Sequence, residues 1–160
     1  MNYSFIIRKA VPEDAPAIQE IMREAFKKYK KDTGITGSME ALEETSEDIV
    51  DDIKNSEVYI ALIDGIAVGS VRVRILPDNT AYISRFGVIP GYRNIGVGKS
   101  IMSLVDKLLI EKGVKKATLH TASKYRDLVR FYYDRGFYID STTKDRGYVR
   151  ALMVKDYTNP

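Results

Sequence analysis

Cysteine is absent from the 160 residues, which excludes a disulfide framework, a thiolate metal site and a cysteine nucleophile. No run approaches the roughly 18 consecutive apolar residues that a membrane span needs, so no membrane partner is expected. The first residues, Met1-Asn2-Tyr3-Ser4-Phe5, show no charged start leading into a long apolar segment. No signal peptide is therefore predicted, and a cytoplasmic protein is the default. An excess of one charge is also missing, because the formal net charge is only +3. The charge is nevertheless uneven: residues 40–57 hold eight acids against one lysine, and residues 112–150 hold ten bases against four acids. Those bases are scattered along expected helices and turns, which fits a solvated surface better than a nucleic-acid face. Repeats, low-complexity segments and linkers are lacking too. What is present, 44% hydrophobic and 29% charged residues, suits one globular domain over residues 1–160 with a substantial core. Monomer and homodimer both fit this composition.

Periodicity orders the chain. Residues 4–10 alternate as an edge strand. Pro12, Glu13 and Asp14 mark a helix start, and Ile18, Ile21, Met22, Ala25, Phe26 and Tyr29 give that helix one apolar stripe. A glycine-rich loop follows over residues 33–38. Residues 39–44 suggest a helical turn. Thr45 with Asp48 has the form of a capping box ahead of a short helix carrying Ile49, Val50 and Ile53. Strands are expected over residues 58–63, 66–76 and 81–89, the first two joined by the hairpin signal Asp64-Gly65. A helix with Val97, Ile101, Leu104, Val105 and Leu108 on one side runs to Glu111 and stops at Lys112-Gly113. The strand over residues 114–121 follows that helix, so it should lie parallel to its predecessor. A helix over residues 124–135 and a final hairpin (residues 137–141 and 148–155) complete an α/β (α+β) fold. Its mixed, mostly antiparallel sheet has about seven strands, with helices on both faces.

The segment Arg93-Asn94-Ile95-Gly96-Val97-Gly98-Lys99-Ser100 lies between a strand and a helix. Backbone N–H groups and the positive end of the helix dipole favour an anion there, and Gly96 and Gly98 leave no Cβ in its way. From the loop alone, a tight turn without a ligand is equally open. It is not a Walker loop, which needs G-x-x-x-x-G-K-[ST], and its glycine spacing and hairpin context are wrong for a dinucleotide fingerprint.

Arg93-x-x-Gly96-x-Gly98 after Val88-Ile89-Pro90 resembles the acyl-CoA-binding motif of the GNAT superfamily of N-acetyltransferases. Phe131-Tyr132-Tyr133-Asp134-Arg135-Gly136-Phe137 is similar to the family's second signature, F/L-Y-x-x-x-G-F, and the element order matches from end to end. The resemblance implies acetyl-CoA or another acyl-CoA as co-substrate, and no metal. Its pyrophosphate would lie on residues 93–99, with Arg93 and Lys99 adding charge, and its pantetheine arm beside Phe86-Gly87-Val88. Gly87 is expected to mark a bulge where that strand splays from the next. The resemblance further implies the N–H of Val88 as oxyanion donor and Tyr132 as general acid; a core aromatic is the plainer reading of Tyr132. Tyr125 stands where many members carry asparagine, which changes one cofactor contact. With no cysteine, direct transfer in a ternary complex is expected, to a primary amine of a small molecule or peptide. A non-catalytic acyl-CoA-binding module on the same fold is the alternative.

Base and acceptor stay open at this level. His120, the sole histidine, titrates in a useful range but also reads as a buried strand histidine. Glu43 and Glu44 are rival bases, as are a substrate carboxylate and a chain of waters. Arg72, Arg74, Arg85 and Arg150 would suit an anionic acceptor if they face the pocket. Glu43 and Glu44 would suit a cationic one, and Tyr148 and Tyr82 would shape either.

Overall fold

A computed structural model describes residues 4–158. Met1 to Tyr3, on which part of the signal-peptide reading rests, lie outside the described residues, as do Asn159 and Pro160. Seven strands form one sheet: β1 (Phe5–Lys9), β2 (Glu57–Ile63), β3 (Ile66–Ile75), β4 (Thr80–Val88), β5 (Lys116–Ala122), β6 (Tyr138–Thr143) and β7 (Arg150–Asp156). Their spatial order is β1-β2-β3-β4-β5-β7-β6. Only β4 and β5 run parallel, as their helical connection requires. The final hairpin inserts its second strand beside β5 and leaves β6 at the edge.

Helices α1 (Ala15–Thr33), α2 (Glu40–Glu43) and α3 (Ser46–Asn55) cover one face; α4 (Val97–Glu111) and α5 (Arg126–Asp134) cover the other. Helix α1 begins after a 3-10 turn at Pro12–Asp14, so the Pro-Glu-Asp signal marks an entry turn rather than the first α-helical turn. It buries Ala15, Ile18, Ile21, Met22 and Ala25. The capping box at α3 forms as its sequence predicts: Asp48 N donates to Thr45 Oγ1 at 3.2 Å and Thr45 N to Asp48 Oδ2 at 2.9 Å. Helix α4 is rotated slightly from the expected stripe, burying Met102 and Leu109 where Leu104 and Leu108 are only half-buried. Helix α5 starts at Arg126, two residues later than its pattern suggested, with Tyr125 as its N-cap.

Two glycines let the helices approach the sheet from opposite sides. A Cβ on Gly69 would stand 2.9 Å from Ile101 Cδ1 of α4, and one on Gly87 would stand 2.9 Å from Ala25 Cβ of α1. The bulge expected at Gly87 lies immediately before it, with Gly87 as its flanking residue. The register slips just before it, between Ser84 opposite Arg72 and Gly87 opposite Ser70. Arg85, with φ of 51°, takes the left-handed conformation there, and an extra residue on one strand sharpens its bend. Gly87→Val should destabilise the fold by about 1–3 kcal/mol through overpacking against α1. Gly37→Ala, with nothing within 4 Å of the added carbon, should stay within about 0.5 kcal/mol. Urea denaturation of the pair checks this.

Candidate active site

Pairing between β4 and β5 covers only Thr80 to Tyr82 opposite Lys116 to Thr118. Beyond Tyr82, β4 bends away at the Arg85 bulge while β5 continues along β7 to Ala122. The sheet thus splits, and the split opens into a cleft of about 970 Å³. Val68 accepts a hydrogen bond from Ile89 N at 2.9 Å, so the residue before it, Val88, turns its N–H away from β3 by the alternation of an antiparallel ladder. That N–H faces the split.

At one end of the cleft lies the start of α4. Its N-cap is Gly96, with φ of 91°, and no side chain caps the helix. The first intrahelical bond runs from Ser100 N to Gly96 O at 3.0 Å, which leaves the N–H groups of Val97, Gly98 and Lys99 without an intrahelical acceptor. Arg93, Asn94, Gly96, Gly98 and Lys99 line the cleft. Ile95 is exposed, Val97 points into the core, and neither lines the cleft; nor does Ser100. A Cβ on Gly96 would meet no atom within 4 Å, whereas one on Gly98 would lie 3.1 Å from Phe86 and 3.7 Å from Phe131. Gly98 is thus required by the aromatic wall behind the loop, while Gly96 is required by its left-handed backbone. That wall stacks Phe86 on Phe131 at 5.6 Å and sets Tyr132 between Phe131 and Phe137.

Tyr132 lines the cleft although it is buried. Desolvation pushes its phenol far above the ordinary range, with Tyr29 adding to the shift, so it stays protonated. Tyr125 reaches across the cleft, donating from its hydroxyl to Asp32 Oδ2 at 2.7 Å, and its ring lies 5.4 Å from Tyr29. The Tyr29 hydroxyl in turn accepts from Ala122 N at 2.7 Å. These contacts tie the end of α1 to the far side of the split. Nothing in the sequence pattern pointed to them, because Tyr29 reads there only as the last apolar residue of α1.

His120 lines the cleft on β5, its Nδ1 2.7 Å from the Tyr82 hydroxyl. Burial lowers its pKa below the usual imidazole value, and Arg150 and Arg146 lower it further, against a smaller upward pull from Asp145. Burial raises the Tyr82 phenol. The pair is a phenol against a neutral imidazole at neutral pH.

The glutamates expected as bases are placed otherwise. Glu44 grips Arg72 through both carboxylate oxygens, Oε2 at 2.8 Å and Oε1 closer still, and its Oε2 also lies 3.4 Å from Arg85. Glu43 is exposed, and neither glutamate lines the cleft. Glu44 is therefore committed to its ion pair with Arg72 and stands outside the cleft. Arg72 borders the cleft but is buried, and its two Nη atoms are bonded to Glu44 and to Asp52 at 2.8 Å. Arg85 lines the cleft, as do Arg74, Arg146 and Arg150; Tyr148 does not. The cleft role of Arg146 was missed because the turn carrying it has no pattern that places it.

Element order and split sheet place the molecule in the N-acetyltransferase fold class. Residues 16–137 match the model of the Acetyltransferase (GNAT) family, and the chain belongs to that family. It is 25% identical over 148 residues to the spermidine N(1)-acetyltransferase of Thermoplasma acidophilum, spanning 87% of this chain and 91% of that one. It is 32% identical over 90 residues to YyaT of Bacillus subtilis, a stretch covering 56% of this chain and 58% of YyaT, little more than half its length. Among solved structures, the PaiA N-acetyltransferase of Thermoplasma acidophilum in complex with coenzyme A superposes with a TM-score of 0.84 at 25% identity, covering 96% of this chain and 99% of that chain. The ribosomal-protein-S18-alanine N-acetyltransferase of Escherichia coli, at 15% identity, shares the fold with a TM-score of 0.78 over 96% of this chain and 94% of its own.

Proposed function

We propose that this protein transfers an acetyl group from acetyl-CoA to a primary amine of a small molecule or peptide, by direct attack with both substrates bound. The observation that carries the reading is the split between β4 and β5, which joins an uncapped helix start to a protonated tyrosine and a neutral histidine in one cleft. The residues fit the co-substrate. Backbone N–H groups of the first turn of α4, with Arg93 and Lys99, suit a pyrophosphate, and the free edge of β4 at Phe86 to Val88 suits an amide-bearing arm. Acetyl-CoA supplies an activated acyl group; a longer acyl chain would use the same contacts.

In this reading His120 takes a proton from the incoming amine. The tautomer that donates Nδ1–H to the Tyr82 hydroxyl leaves the Nε2 lone pair free for it. The Val88 N–H stabilises negative charge developing on the carbonyl oxygen as the C–N bond forms. Tyr132 gives its proton to the sulfur as the C–S bond breaks. The relative named for spermidine acts on an amine, which supports a primary amine as the acceptor class.

A thiol-release assay with acetyl-CoA and a panel of amines, with product masses, tests the reading. Coenzyme A binding without thiol release from any amine would support a non-catalytic binding module instead. The pH profile tests the base. His120 has a lowered pKa, so kcat/KM should be flat at neutral pH and fall only as the solution becomes more acidic than the ordinary imidazole value of about 6.5. His120→Gln should lower kcat/KM by about 100-fold and erase that acid limb; a limb that survives the substitution assigns it to another group.

A further inference from the structure

The transfer chemistry leaves unused a set of guanidinium groups on the cleft wall. Directly opposed residues of a sheet share a face, and alternate residues along a strand return to it. Arg74 opposes Tyr82, Tyr82 opposes Thr118 two residues before His120, and Arg150 opposes Ala122 two residues after it. Arg74, Tyr82, His120 and Arg150 therefore form one transverse stripe on the α1 face, and Arg85 and Arg146 border the same cleft.

These arginines differ from Arg72 in how they are held. Arg72 has short bonds to two carboxylates. Arg85 reaches Glu44 only at 3.4 Å and Glu40 at 3.9 Å. Arg146 reaches Glu40 at 3.4 Å, and Arg150 touches Asp145 through Nη2 alone, at 3.4 Å. A strong guanidinium–carboxylate bond is about 2.7–2.9 Å long, so all three contacts are long. The Arg150 side chain is only 12% exposed, and its Nε, like that of Arg72, is buried and bonds to no other group; unlike Arg72, Arg150 has no short carboxylate bond to its Nη atoms either. Arg74 makes no side-chain hydrogen bond or ion pair among the described residues. The carboxylates that face Arg146 and Arg150, on Glu40 and Asp145, are 64% and 60% exposed, so water screens them well; Arg85 also faces Glu44, which is buried but is held by Arg72. A buried donor without an acceptor is costly in the free protein, and an anionic oxygen would satisfy it.

We infer that the acceptor amine carries an anionic group, a carboxylate or a phosphate, held by Arg150 with Arg74, Arg85 and Arg146 around it, while its amine lies beside His120. This rests on the transferase reading and narrows it. A polyamine would bring like charge to this wall; an amine with an acidic group brings the complement.

The test uses the intact protein with coenzyme A and three product analogues, N-acetylglutamate, N-acetyl-O-phosphoserine and N1-acetylspermidine, by calorimetry. The two anions should bind at least about 10-fold tighter than the cation, and their ranking separates carboxylate from phosphate. Arg150→Gln should weaken anion binding by about 10- to 100-fold, the loss of one or two charge-assisted bonds, with coenzyme A affinity unchanged. Arg74→Glu, at an exposed position that does not threaten folding, should weaken it several-fold. Tighter binding of N1-acetylspermidine, or anion binding indifferent to both variants, overturns the inference. Thiol release with glutamate, phosphoethanolamine and spermidine separates the two levels. Arginine-dependent anion binding with no turnover of any amine defeats the transferase reading alone, whereas turnover that prefers spermidine defeats the anion site alone.

Discussion

Replacing Arg72 with methionine is expected to remove about 3–5 kcal/mol of folding stability, the range for breaking a buried ion pair by deleting one partner. Arg72 is 3% exposed and the Glu44 side chain 8%, so neither can recruit water cheaply. Without the guanidinium, Glu44 keeps only the 3.4 Å contact to Arg85. Asp52 is 46% exposed, so its share is small, and the penalty is mainly that of stranding Glu44. Urea denaturation should show a lowered midpoint with an unchanged slope. Arg72→Met with Glu44→Met should recover most of the loss, because two apolar side chains leave no buried charge behind. A loss under about 1 kcal/mol in the single variant would mean that Glu44 is solvated after all. The pair also fixes the segment that roofs the cleft. Gln19 of α1 donates to Glu44 O at 3.1 Å and accepts from Ser46 Oγ at 3.2 Å, so α1 and β3 together hold α2 and α3 in place.

That network shows where reading a sequence stops. The alternation of Arg72 and Arg74 with Val71, Val73 and Ile75 is visible in the chain, as is the acidic run over residues 40–57. Whether the arginines face solvent, substrate or those acids depends on how α2 and α3 fold back over β3, and no local pattern encodes that. The capping box of α3 was legible because its two bonds close within four residues. The parallel β4–β5 pair was legible because a helix connects them. The insertion of β7 between β5 and β6 was not, since periodicity says nothing about strand order. Gly87 and Gly98 show the same limit at single residues. Both stood out as backbone without a side chain, but the neighbours requiring that, Ala25 on α1 for one and Phe86 on β4 for the other, come from distant segments. His120 was conspicuous as the sole histidine, while its hydrogen bond to Tyr82 follows only from the parallel register of β4 and β5.

Tyr132→Phe carries the largest expected effect on turnover. A thiolate leaves from a tetrahedral centre, and a thiol of pKa near 8.5 departs more readily as its proton arrives. Burial keeps the Tyr132 phenol protonated, and a proton donor in position is worth about 100- to 10,000-fold. The substitution should therefore lower kcat by about 100-fold or more. KM for acetyl-CoA should change by less than about threefold, because the pyrophosphate contacts on α4 are untouched. Folding should hold, since the ring that packs against Phe131 and Phe137 at 5.5 and 5.7 Å is retained. The control is its neighbour Tyr133, which is exposed and whose hydroxyl accepts only a long 3.4 Å bond from Ile139 N; Tyr133→Phe should leave kcat unaltered. Equal turnover in wild type and Tyr132→Phe would assign the sulfur's proton to water and leave Tyr132 a packing residue of the aromatic wall. A fall in kcat confined to Tyr132→Phe, with the acid limb of the pH profile still set by His120, would separate donor from acceptor on the two sides of the split sheet.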